Sequence, residues 1–355
     1  MKIILLEETH KEIWDKFVKE SDDAWFFHLY DWIKLNKEVW HYETFSFFVE
    51  NDQGEILAIF PLFLEKQRTS WFMPLRYLTT GFGSANPALK PGLGKEQQKK
   101  ILVEIFKHID NLAKKIKVDC FFMQTPPLVP NNRPNRLSNV NPYIFYGLED
   151  LPNYTYMLDL SQDMEKIFSN MSHAFRKNIK HAEKNGITVG KVETFSEMEE
   201  YYKLHVNTYR RTGVKPHPFK YFELIWKYFG EKGLVNIFYA QHEGEKIDFI
   251  NLASLKEGLK FWTKCSLSSK RHLRSDSLVV YHIFKWAKMN GYKWIDIGEV
   301  FPNADPKSKL FGIYRYKKGM GGTIYPRYKA RKIYSPMKMQ LKVFASSVKK
   351  HFKKA

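Results

Sequence analysis

The sequence predicts an α/β (α+β) chain made of two similar tandem domains, each with a mixed central sheet, and a cleft between the domains. Two observations lead there. Short apolar runs of strand type alternate with stretches of helical period. The same order of elements also occurs twice, which a single hairpin match by chance would not produce. The composition permits it: 44% hydrophobic and 16% aromatic residues over 355 positions supply apolar surface for two cores.

The first domain, 1–150, opens with a helical preamble, "ETHKEIWDKFVKESDDAWFFHLYDWIKLNKEVW". "YETFSFFVENDQGEILAIFPLFLEKQ" then reads as two strands joined at Asp52-Gln53-Gly54. "KEQQKKILVEIFKHIDNLAKKI" puts Ile101, Ile105, Ile109 and Leu112 on one helical face, and "VDCFFMQ" reads as a buried strand. The Asn- and Pro-rich "NNRPNRLSNVNPYIF" (131–145) suits an interdomain loop.

The second domain, 151–328, repeats the plan. After the helical "SQDMEKIFSNMSHAFRKNIKHAEKNGI", two strands in "LVNIFYAQHEGEKIDFINLASLKEG" meet at Glu243-Gly244. The strand "LKFWTKCSL" looks like an addition to the first plan. "DSLVVYHIFKWAKMNGY" carries helical period through Val280, Ile283, Phe284 and Ala287 and stops at Asn290-Gly291, and "KWIDIGEV" closes the unit. Its last strands are allowed to return to the first domain. Residues 329–355 read as a basic amphipathic tail.

The formal net charge is +19, and its distribution is uneven. After Asp305 the chain holds fifteen Lys and Arg and no acidic residue. Such a field attracts nucleic acid, anionic lipid or phosphorylated substrates. Two cysteines, Cys120 and Cys265, make no disulfide framework and fit a reducing compartment. Glu7 and Glu8 interrupt the N-terminal apolar run, so it does not read as a signal peptide. A cytoplasmic protein is expected.

HExxH, CxxC, GxSxG and a helix-preceding GxGxxG are all missing, so neither a metal nor a covalent Ser or Cys nucleophile is expected. Three stretches remain. The helix spanning "FSNMSHAFRKNIKHAEKNG" sets an apolar stripe (Phe168, Met171, Phe175, Ile179, Ala182) against a basic face that includes Arg176, Lys177 and Lys180. That face suits a polyanion, and plain solvation equally. "HVNTYRRTGVKPHPFKYF" places Tyr209, Arg210 and Arg211 where a helix breaks, a position from which an arginine can clamp an anion. In "RHLRSDSLVV", Ser275 or Ser277 is expected to cap the next helix and leave N–H groups for an anion.

In sequence order, "WFFHLYDW", "AIFPLFL", "RKNIKHAEKNGI", "YRRTGVKP", "WAKMNGYKWIDIG" and "LFGIYRYKKGMGG" resemble the FemAB-like peptidoglycan bridge-forming transferases, built from tandem GNAT-like domains. The resemblance implies an aminoacyl or acyl transferase acting on a nucleotide- or lipid-linked cell-wall precursor. It implies aminoacyl-tRNA as donor, with acyl-CoA as the alternative, and no tightly bound cofactor. "IYRYKKGMGG" matches the family's "LYRFKxxFG", which puts the family lysine on Lys317, flanked by Tyr316, Lys318 and Gly319. Thr-x-x-Arg falls on Thr208 and Arg211 beside Tyr209, as substrate contacts. The lysine following Trp32 falls near Lys37, about one residue out of step. A family tyrosine is missing from "FWTKCS", where Thr263 and Lys264 stand.

On this reading the glycines around Lys317 form an anion-binding nest, and Lys317 and Arg211 converge on one bound anion. Asp296 or Glu299 is the candidate base for the attacking amine. In the tail, Met337, Leu341, Phe344, Val348 and Phe352 form a stripe ringed by lysines, so residues 336–355 are expected to dock on an anionic membrane, at its inner face. A non-catalytic basic binding module is the other class that the charge allows.

Overall fold

The computed structural model describes residues 1–68, 74–129 and 140–342. It divides into two units: Met1–Pro152 with the chain from Arg327 onward, and Asn153–Pro326. Most of the Asn- and Pro-rich stretch 131–145 lies outside the described residues.

Unit 1 begins with β1 (Lys2–Leu5), α1 (Lys11–Glu20) and α2 (Tyr30–Trp40). Seven short strands follow in two groups around one long helix. They are β2 (Glu43–Thr44), β3 (Phe47–Glu50), β4 (Ile56–Phe60), β5 (Phe63–Arg68), β6 (Pro74–Thr79) and β7 (Ala88–Leu89), then α3 (Lys95–Lys115) and β8 (Cys120–Gln124). A short β9 (Glu149–Asp150) ends this part of the chain. One sheet has the order β1-β3-β4-β7, and another runs β2-β5-β6-β8 before further strands complete it. The expected hairpin at Asp52–Gly54 is β3–β4. Ile101, Ile105 and Ile109 of α3 are buried against Phe47, Phe60 and Phe121, because residues four apart share one helix face.

Unit 2 runs β10 (Tyr154–Asp159), α4 (Met164–Asn170), α5 (His173–Lys184), β11 (Thr188–Lys191), α6 (Phe195–Arg211) and α7 (Phe219–Ile225). It continues with β12 (Val235–His242), β13 (Glu245–Leu255), β14 (Gly258–Ser266), α8 (Ser275–Met289), β15 (Trp294–Val300), α9 (Lys309–Gly319) and β16 (Thr323–Pro326). Seven strands form one sheet in the order β11-β12-β13-β14-β15-β10-β16. Helices α5 and α8 cover one face. Phe175, Ile179 and Ala182 of α5 and Val280, Ile283, Phe284 and Ala287 of α8 join a core with Ile250, Leu259 and Ile295 from the strands. At about 1.5–3 kcal/mol for each large buried apolar side chain, packing rather than helix propensity holds α8 in place.

The single helix expected over 168–184 is two. Met171 and Ser172 are extended, and the Ser172 hydroxyl accepts a hydrogen bond from the Phe175 N–H (3.2 Å) to start α5.

The repeat is also more complete than the sequence reading made it. "LKFWTKCSL" is no addition: β14 precedes α8 and pairs parallel with β15, just as β6 precedes α3 and pairs parallel with β8. The overlooked counterpart was β6.

The segment from 329, expected to form a tail, begins as β17 (Lys329–Ile333), which lies between β8 and β9 in unit 1. A helix starts at 336. Its two described lysines are engaged by unit 1: Lys338 pairs with buried Asp119 (2.8 Å) and Lys342 donates to the Tyr77 hydroxyl (2.8 Å). Met337 and Leu341 face outward, 79% and 54% exposed. Phe344, Val348 and Phe352 lie outside the described residues. No described helix is long and apolar enough to cross a membrane.

Candidate active site

Strands β14 and β15 run parallel only from Gly258–Lys260 against Trp294–Asp296. Beyond that point each strand carries one extra residue relative to its outer neighbour. On β14, Thr263 faces Asn251 and Phe261 faces Leu252, so Trp262 is the bulge. On β15, Asp296 faces Met157 and Gly298 faces Tyr156, so Ile297 is the bulge. Bulges bend strands and sharpen their twist. The two strands part, and no strand pairs with that edge of β14 past Lys260 among the described residues. A pocket of about 140 Å³ opens in the gap. Both bulged residues line it, with Thr263 and Lys264 from β14 and Tyr316 and Lys317 from α9.

Lys317 donates from Nζ to the Glu299 carbonyl oxygen at the end of β15 (3.0 Å). Gly298 makes this approach possible: its φ is +97°, and a Cβ there would lie 2.9 Å from that same Nζ.

The surroundings differ from the expected nest. Residues 309–319 are helix α9, started by Ser308, whose hydroxyl accepts from the Phe311 N–H (3.2 Å). The N–H groups of Met320 and Gly321 bond to the carbonyls of Lys317 and Lys318 and are not offered to an anion. The glycines serve packing. The Gly319 carbonyl accepts from the Ser172 N–H (3.0 Å), and a Cβ on Gly322 would sit 2.5 Å from the Met157 carbonyl oxygen. Lys318 is exposed, its ammonium 5.9 Å from the Tyr314 ring centroid.

The floor of the pocket is a polar network. Lys264 Nζ donates to Asp276 Oδ2 (2.9 Å) and to the Tyr316 hydroxyl (2.8 Å). Tyr316 in turn bonds to Asp276. Lys264 and Asp276 hold their charged forms, the lysine pKa raised and the carboxyl lowered against the cost of burial. Burial pushes Tyr316 up, so it stays a neutral phenol. Behind them lies Asp248, 2% exposed, which accepts from the Ser275 hydroxyl (3.3 Å). Burial pushes its pKa up to about 7, with nearby Lys264 opposing the rise.

Several expected site residues sit elsewhere. Asp296 is fully buried, enclosed by the Thr155 hydroxyl, the Gly298 N–H (2.8 Å) and the Lys260 ammonium. A carboxylate so enclosed holds the strand junction and cannot reach a substrate amine. Glu299 accepts from the Asn153 amide. Arg211 and Thr208 do not line the pocket. Arg211 is exposed at the end of α6, and the Thr208 hydroxyl is bonded to both the N–H (3.1 Å) and the carbonyl (3.2 Å) of Ser266. Arg211 therefore does not share this pocket with Lys317. Tyr209 is held against buried His205, ring centroids 3.8 Å apart. Burial lowers the pKa of His205 to about 3, and its Nε2 accepts from the His217 N–H (3.2 Å).

Neither serine caps α8. The capping position is Arg274 in the left-handed region, Ser277 is buried with its hydroxyl unbonded, and Ser275 binds Asp248. Arg176 donates to the carbonyls of Ser169 (2.8 Å) and Met171, closing the end of α4, while Lys177 and Lys180 are exposed. In unit 1, Trp32 is fully buried in an aromatic cluster with Phe26 and Phe27, and Lys37 is exposed.

The sequence reading missed Asp248, Asp276, Trp262 and Ile297. A signal existed only for Asp248, the one acid in the otherwise apolar run "IDFINLASL".

Residues 146–246 match the FemAB family. Over that stretch the chain resembles the FemAB family. The matched stretch contains Thr208 and Arg211 and ends before Lys264 and Lys317. No curated protein matches the chain. Among solved structures, FemX is 15% identical, with 96% of this chain and 99% of that one covered at a TM-score of 0.71. L-PGS from Bacillus licheniformis is 11% identical, covered 93% and 95%, at 0.57. A tandem GNAT protein from the clavulanic acid biosynthesis pathway is 10% identical, covered 94% and 98%, at 0.54. At such identities the likeness is one of fold: both units of this chain are GNAT-like.

Proposed function

We propose that the protein is an acyltransferase of the cell envelope that moves an aminoacyl group from aminoacyl-tRNA to an amine of a nucleotide- or lipid-linked, peptidoglycan-type precursor. One observation carries the reading: the parted, bulged ends of β14 and β15 open a small pocket between them, with the Lys317 ammonium at its side.

The chemistry needs little more. The neutral amine attacks the ester carbonyl, the C–N bond forms, and the C–O bond to the tRNA ribose breaks. The amine's proton is lost and the ribose oxygen gains one. Negative charge gathers on the carbonyl oxygen in between. Backbone N–H groups of the pocket wall can donate to that oxygen, and Lys317 adds a positive charge. Holding both substrates in place supplies the remainder of the rate, because the ester is already activated.

The first turn of α8 supports a tRNA ester over acyl-CoA. It carries its own carboxylate, Asp276, beside the buried Ser275 and Ser277, so a pyrophosphate there would meet like charge. The net charge of +19 suits a polyanionic donor.

The test supplies charged tRNA or acyl-CoA with nucleotide-linked and lipid-linked precursors and weighs the acceptor by mass spectrometry. Transfer from charged tRNA alone is expected, with donor binding that weakens steeply between about 50 and 200 mM salt. Transfer from acyl-CoA alone overturns the donor, and no transfer from either overturns the reading.

A further inference from the structure

Lys264 is an unusual floor for a small pocket. The walls are largely apolar, with Ile250, Phe261, Val280 and Met320 among them. A lone ammonium in such a place would tend to lose its proton. Here it is fixed in the charged form by Asp276 and Tyr316, its side chain 33% exposed and that of Asp276 27%. The three groups come from β14, α8 and α9 and bond to one another in a closed triangle. An ammonium has three N–H donors, and two are committed within the triangle. The third is available in a pocket of about 140 Å³, close to the roughly 150 Å³ of a cavity that takes benzene. That is room for a small side chain and no more.

Resting on the acyl-transfer reading above, we infer that Lys264 is a specificity-determining residue. Its ammonium takes a hydrogen-bond acceptor on the side chain of the transferred aminoacyl group, so the pocket selects a small polar acyl group over an apolar one of similar size. Asp276 and Tyr316 are positioning residues. They hold the ammonium charged and aimed, and balance its charge when no substrate is present. An apolar group of the same size leaves the third N–H unpaired and displaces the water that would otherwise satisfy it.

The experiment compares transfer from tRNAs charged with glycine, alanine and serine, by the wild type, Lys264→Met and the double variant Lys264→Met with Asp276→Asn. The double variant removes both charges together, so it leaves no buried carboxylate unpaired if the single variant does not fold. Lys264→Arg tests rescue by a conserved charge. The wild type is expected to prefer the seryl donor over the alanyl one in kcat/KM by about ten- to a hundredfold, as suits one hydrogen bond to a charged group. In the methionine-bearing variants that ratio is expected to fall to within about threefold. Lys264→Arg restores part of the preference. A wild type that transfers with no seryl preference, or a preference that survives in the folded variants, overturns the inference and leaves acyl transfer standing. A wild type inert with every charged tRNA overturns both.

Discussion

The two units share a parallel strand pair bridged by a helix, yet they treat its far end in opposite ways. In unit 1, β6 and β8 pair from Tyr77–Thr79 against Cys120–Phe122. Just past that pairing the chain folds back, and Ala85 forms an isolated bridge to Gln124 on the edge that β6 has left. The Gln124 side-chain oxygen accepts from the Ser84 hydroxyl (3.0 Å) and from Arg327, which also donates to Ser84, and Ser84, Ala85, Asn86, Gln124 and Arg327 are all buried. In unit 2, no described strand pairs into the gap beyond Lys260 and Asp296, and the bulges at Trp262 and Ile297 widen it. Duplicating a fold duplicates its splayed strands. Whether a pocket results depends on what the following loop does with the freed edge. In unit 1 the edge is satisfied by backbone, as a buried strand edge must be. In unit 2 the corresponding gap is lined by side chains and holds the pocket.

That contrast is open to direct attack. Lys317→Ala bears on it most heavily. It removes the charge at the open gap, and the turnover of charged-tRNA transfer is expected to drop by about a hundred- to thousandfold, with the melting temperature little changed. Unaltered turnover would place the chemistry outside the unit 2 pocket. Gly298→Ala comes next. A side chain at φ +97° is strained by about 1–3 kcal/mol, and its Cβ displaces the Lys317 ammonium, so stability and turnover should fall together. Gln124→Ala, in the sealed gap of unit 1, should cost about 1–3 kcal/mol by leaving buried donors and acceptors unmatched. Denaturant unfolding reads that loss, while transfer should stay within about twofold. A large loss of transfer without unfolding would mean that the sealed end works too.

A last expected effect concerns pH. Asp248 has a pKa raised from 3.8 to about 7, first by burial. Between those values the native state keeps a proton that the unfolded chain has released. Its contribution to stability therefore declines as pH rises through that window and is lowest above about 7. Asp248→Asn removes the ionisation. Its stability relative to wild type should climb from about pH 4 to pH 7, by at most about 1.4 kcal/mol per unit. A constant difference across the range would show that Asp248 does not titrate there.

Much of the fold was readable from local pattern. The stripe of Phe175, Ile179 and Ala182 faces the core as its spacing requires, and so do Ile101, Ile105 and Ile109. The hairpin turns fall at Asp52–Gly54 and Glu243–Gly244, where the residue types demand them. Strand β6 was missed because proline, arginine and threonine blur its apolar alternation. The stretch around Lys317 misled for a related reason. Its glycines read as a turn, yet four of the residues between Phe311 and Tyr316 are aromatic or apolar and suit a helix once packed. Of the candidate site residues, Lys264, Tyr316 and Lys317 share the pocket, whereas Asp296, chosen for its place at a strand end, belongs to a buried ion pair.

By itself the sequence determined the doubled order of elements, the faces that would be buried and the excess of positive charge, since each follows from residues close together in the chain. Only the tertiary structure decided which strand edge would stay open. It also decided that Lys264 would meet Asp276 twelve residues away and Tyr316 fifty-two residues away. Register and bulges depend on pairing between distant strands, and no local pattern encodes which of two equivalent gaps a returning loop will close.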